Sequence, residues 1–126
     1  MKTVETAIAR YTLRDDGIVV ARAINPEAPR TYETAAATLD VLAELIGEAP
    51  RPALWDQRET PRLAPEVWVQ VIARVEKLAV ALAILTNEGG SRQLGGYPDA
   101  IGSLLIPARE FHKEEPAIAW LRQFCD

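Results

Sequence analysis

Residues 78–85 read Leu-Ala-Val-Ala-Leu-Ala-Ile-Leu, the longest unbroken apolar run in the chain. A membrane helix needs about 20 such residues, so this run is far too short to span a bilayer. A half-buried strand would alternate apolar with polar, and a surface helix would show a polar residue in every turn. The run does neither. Its length, and its place directly after a helical pattern, fit a strand covered on both faces, as in a parallel sheet flanked by helices.

Working outward, the pattern before the run is helical. Pro65 suits a first helical turn, Trp68, Val71, Ile72 and Val75 share one face, and Arg74 and Lys77 sit towards the carboxyl end. Ala53-Leu54-Trp55 reads as a short strand before the polar loop of residues 56–63. An earlier helix is clearer still: Thr31 is an N-cap, Ala35, Leu39, Leu42, Ala43 and Ile46 form a face, and Gly47 with Pro50 ends it. After the apolar run the spacing predicts a short helix around residues 99–105, a strand at 108–111 and a last helix from Glu114 to Phe124. At the amino end, Ala7, Ala9, Tyr11 and Leu13 alternate with Thr6, Ile8, Arg10 and Thr12. Asp16-Gly17 supplies a hairpin turn, and residues 18–24 return as a second strand. The order is ββαβαβαβα, an α/β domain over residues 1–126 with a mixed sheet of about five strands and flanking helices.

Composition narrows the function classes. The 126 residues carry 14 basic and 18 acidic side chains, a net charge of −4, which argues against nucleic acid as a partner. One cysteine (Cys125) and one histidine (His112) leave no internal disulfide and no Cys/His metal cluster. Met1-Lys2-Thr3-Val4-Glu5 lacks the apolar core of a signal peptide, so a cytoplasmic location is expected.

The chain resembles small bacterial proteins with a STAS-like (SpoIIAA-like) fold, related to anti-sigma-factor antagonists and to the CRAL-TRIO lipid-transfer fold. The resemblance rests on the amino-terminal hairpin, the strand ending at Asp56, the helix 65–77 and the strand 79–85. Its most specific part is Pro107-Ala108-Arg109-Glu110-Phe111 followed by Glu114-Glu115-Pro116-Ala117-Ile118-Ala119-Trp120-Leu121. It implies a non-enzymatic regulatory or protein-interaction module, with a lipid or small-molecule carrier as the alternative. A carrier needs an apolar cavity of roughly 300–1,000 Å³. Anti-sigma antagonists place a phosphorylatable serine where this chain reads Leu63-Ala64-Pro65-Glu66, so the phosphoserine switch is not carried over.

In open α/β sheets, ligands meet the loops beyond the carboxyl ends of the strands. Two such loops are polar here, and Asp56, Arg58, Thr60, Arg62, Asn87, Ser91 and Arg92 are the candidate partner- or ligand-binding residues. Gly89-Gly90-Ser91 with Gly95-Gly96 lacks the Lys-Ser/Thr of a phosphate loop and reads as turn glycines. Asp56 with Glu59, and Glu114 with Glu115, have no nucleophile or metal ligand beside them, and Glu114–Glu115 is explained by the dipole of the helix it opens. No catalytic residue, metal or cofactor is expected. Val67, Trp68, Val69, Val71, Ile72 and Val75 give the helix 65–77 more apolar surface than one core stripe uses, and residues 18–24 carry Arg22 alone as a charge against edge pairing. Both features point to a homodimer with its interface at Val67, Trp68 and Val71.

Overall fold

The structure is a computed structural model that describes residues 1–58, 64–87 and 105–125. Six strands form one sheet in the order β1 (Lys2–Glu5), β2 (Ala9–Leu13), β3 (Val19–Ala23), β4 (Arg51–Asp56), β5 (Ala79–Leu85) and β6 (Ala108–Phe111). The first three pair antiparallel and β3 to β6 pair parallel. Helices α1 (Tyr32–Ile46) and α2 (Pro65–Leu78) connect β3 to β4 and β4 to β5; α3 (Glu114–Leu121) follows β6 and ends in a 3-10 turn, Arg122–Phe124.

Strand alternation divides the core into two layers. Tyr11, Val19, Ala53, Leu82 and Ile84 face α1 and α2, while Ile18, Val20, Leu54, Ala81, Ala83 and Leu85 face α3. The apolar run is therefore an inner strand with both faces used. The outer faces of β1 and β2, beyond the reach of α3, are polar: Thr3 meets Thr12 and Arg10 meets Glu5.

The helix boundaries follow their caps. Thr31 and Thr34 exchange side-chain and backbone hydrogen bonds in a capping box at the start of α1, and Gly47 ends it at φ 82°, a conformation that favours glycine. In the hairpin turn, Gly17 takes φ 90° and the Asp16 carboxylate accepts from the Ile18 N–H.

Four expectations change. The amino-terminal hairpin is a three-stranded meander, because Thr6 lies in a turn and not in a strand: its hydroxyl accepts from the Ile8 and Ala9 N–H groups and β1 folds back. That turn raises the strand count to six. Residues 18–24, expected at a sheet edge, lie inside the sheet, since β3 pairs with β4 as well as β2. Val67, Trp68 and Val71 are not a dimer surface. They are 7%, 1% and 6% exposed, packed into their own chain's core, with Trp68 stacked on Trp55 at 5.0 Å. The last helix stops at Leu121, and Trp120 is only half-buried, between Phe111 and Phe124. The helix expected around residues 99–105 falls outside the described residues except for exposed Leu105.

Candidate functional site

The carboxyl ends of the parallel strands carry a charged cluster built on Asp56, the last residue of β4. Strand register sets Arg22 of β3 opposite it. Arg22 Nη1 donates to Asp56 Oδ2 at 2.6 Å, and Arg22 Nη2 donates to Glu114 in the first turn of α3. Arg58 folds back on the same carboxylate: Nη2 donates to Oδ2 at 2.9 Å, and Nε and the backbone N–H donate to Oδ1 at 3.1 Å each. Asn87 Nδ2 donates to the Arg58 carbonyl at 2.6 Å, tying the loop after β5 to the loop after β4. Burial by itself would raise the Asp56 pKa. The hydrogen bonds from Arg58 and the charges of Arg58 and Arg22 outweigh it, and the carboxyl titrates below its ordinary value. Arg22 and Arg58 keep about a third of their side chains in water, so the cluster is a fixed base with two accessible cations.

Beside it, the buried Thr86 hydroxyl donates to Glu110 Oε2 at 2.7 Å, and His112 Nδ1 lies 3.3 Å from the Thr86 carbonyl. A hydroxyl that donates a hydrogen bond to a carboxylate and is closed from solvent is a structural link between β5 and β6.

On the opposite face of the sheet an apolar cavity of about 100 Å³ lies between α1 and strands β2 to β5. Tyr11, Val19, Leu39 and Leu82 line it, and Arg22, Arg30, Trp55 and Gln57 line it as well. The Tyr11 hydroxyl meets Thr38 Oγ1 at 3.0 Å, and Thr38 meets Thr6 Oγ1 at 2.6 Å. Burial pushes the Tyr11 pKa up to about 12.

The structure brings Asp56, Arg58 and Asn87 together. Thr60, Arg62, Ser91 and Arg92 lie outside the described residues. Arg22 and Glu114, which complete the cluster, were assigned only edge and helix-dipole roles by sequence reasoning, and nothing local marks them as partners 92 residues apart. Arg30 and the hydroxyls of Tyr11 and Thr38 were also missed. A polar residue repeated on an apolar face, as Thr38 is on α1, is the signal that was present. Among the described residues no three His, Cys, Asp or Glu side chains gather to hold a metal ion, and no described helix is long and apolar enough to cross a membrane.

With this geometry in view, comparison with known proteins finds one informative likeness. An uncharacterized protein of the DUF3478 family from Shewanella loihica PV-4, whose crystal structure has a SpoIIAA-like fold, is similar over 95% of this chain and 90% of its own length. The TM-score is 0.62 and the identity 17%. At that identity the likeness is one of fold. The chain has a mixed α/β, STAS-like fold of the SpoIIAA-like kind, with six strands and not about five. No protein-family model matches it, and no curated protein does.

Proposed function

We propose that the protein is a non-enzymatic regulatory or protein-interaction module that presents the carboxyl end of its sheet to a protein partner. The observation that carries this is the Arg22–Asp56–Arg58–Glu114 cluster, in which a buried Asp56, strand register and a helix start hold the part-exposed charges of Arg22, Arg58 and Glu114. Fixed charges of this kind steer and orient a complementary surface. Arg58→Glu reverses one of them. Proteins from the native host retained by the wild-type chain on a column should be lost by a folded Arg58→Glu variant; equal retention by both removes the cluster from recognition. Homodimerisation belongs to the same reading, through the outer edge of β1, since β3 and the inner face of α2 are occupied within the chain.

Small-molecule binding is the second reading, and the cavity favours it. Its volume is about 100 Å³, well below the roughly 300–1,000 Å³ of pockets for drug-sized ligands. That excludes a whole lipid chain from this cavity and leaves a compact ligand.

A further inference from the structure

The cavity behind α1 is lined almost wholly by apolar side chains, and among the described residues no acidic side chain lines it. Two cations do, and they differ. The Arg22 guanidinium is committed to Asp56 and Glu114. Among the described residues Arg30 has no carboxylate partner. It gives Nη1 to the carbonyls of Asn25 and Ala28, at 2.9 Å each, and Nη2 to the carbonyl of Ile24 at 2.7 Å. Those three bonds leave the Nε–H and one Nη2–H, a pair of donors on the groups that form the side-on fork of arginine, which matches a carboxylate. The same bonds fix the guanidinium in place. The loop that holds it is itself pinned, by Asn25 Nδ2 donating to the Ala7 carbonyl at 2.9 Å and by Asn25 in the left-handed region at φ 52°. Burial lowers the Arg30 pKa, as expected of a guanidinium partly withdrawn from water without a counter-charge.

We propose that this cavity binds a compact monocarboxylate, its carboxylate on Arg30 and its short apolar tail between α1 and the sheet. This rests on the small-molecule reading and names the ligand class. Size sets the tail. An engineered core cavity of about 150 Å³ admits benzene, so the ~100 Å³ here fits a branched tail of about four carbons, with a phenyl ring as the upper limit. Charge sets the head. Away from the two arginines and Gln57, the described polar side chains lining the cavity are Tyr11 and Thr38, which bond to each other. A second carboxylate would find Arg22, whose guanidinium already serves Asp56 and Glu114, so its burial costs more than that of the first and disfavours dicarboxylates.

The test uses isovalerate, its neutral isostere isovaleramide, and palmitate as probes, titrated into the full chain and followed by amide NMR shifts. Isovalerate is expected to shift resonances of Ala21, Ala35 and Leu39 and to bind at least about tenfold tighter than isovaleramide. Arg30→Gln should erase that preference, and Ala35→Leu, which fills the cavity, should abolish binding of both probes with the fold retained. If Arg30→Gln loosens the loop and fails to fold, the isovalerate-to-isovaleramide ratio on the wild-type chain decides alone. Equal binding of the two probes overturns the carboxylate assignment, tighter binding of palmitate overturns the compact tail, and either outcome keeps a small-molecule site. Millimolar probes that leave the cavity resonances unmoved overturn both.

Discussion

At Asp56 burial and pairing pull in opposite directions, and the two arginines win. A carboxyl held below its ordinary pKa of about 3.9 contributes stability that is fully present above that value and is lost as pH falls through the lower folded one. Asp56→Asn should therefore cost about 2 kcal/mol at neutral pH, with part of the charge effect recovered by water around Arg22 and Arg58. It should also flatten the acid limb of the stability curve in urea titrations. Superimposable acid limbs for variant and wild type would show that the pairing contributes nothing. Tyr11 works in the other direction. Its pKa is raised to about 12 in the fold and is near 10 in an unfolded chain, so its contribution is complete below pH 10 and disappears as pH rises through 12. That is about 2–3 kcal/mol of alkaline sensitivity. Tyr11→Phe should remove it at a cost of about 1 kcal/mol at pH 7, read from denaturant midpoints across that range. Asp56 and Arg58 were legible in the sequence because they follow a strand end. Arg22 and Arg30 were not, because their meaning comes from register and from a loop folding over the sheet.

At the scale of elements, α2 shows why an apolar surplus is ambiguous in sequence. Val67, Trp68, Val71, Ile72 and Val75 are all buried against one sheet face, while Val69 on the other side is 61% exposed. Trp68→Ala should cost about 3–5 kcal/mol, because it opens a cavity and removes the stacking partner of Trp55. Val69→Ala should stay within about half a kcal/mol. Comparable losses in thermal or urea melts would mean that the outer face is covered in solution. The apolar run was legible as β5 because eight consecutive apolar residues admit few other placements. β1 was not, since a four-residue strand with Val4 as its one inward apolar side chain has no period to read. The Thr6 turn was likewise hidden within an alternation that continues through it.

For the whole molecule, self-association is a question of which surfaces the fold leaves over. The two edges of the sheet are β1 and β6, and β1 carries Lys2 and Glu5, charges that oppose indiscriminate strand addition. Light scattering after size-exclusion chromatography should give twice the 13.9 kDa of one chain if β1 pairs with its copy. A mass of one chain at micromolar concentration removes the homodimer.

The six strands lie side by side in the order in which they occur along the chain. During synthesis, at roughly 5–20 residues per second, each new strand emerges after the strand it pairs with, and nothing has to be inserted between strands that have paired. This order lets the sheet be extended from the amino end without rearrangement. Its vulnerable interval comes after β5 has emerged and before β6 and α3 arrive, when Ala81, Ala83 and Leu85 face water from an open edge. A nascent or proteolysed chain ending near Asn87 is therefore the form most prone to aggregate, and the last strand and helix act as the fold's own sealing step.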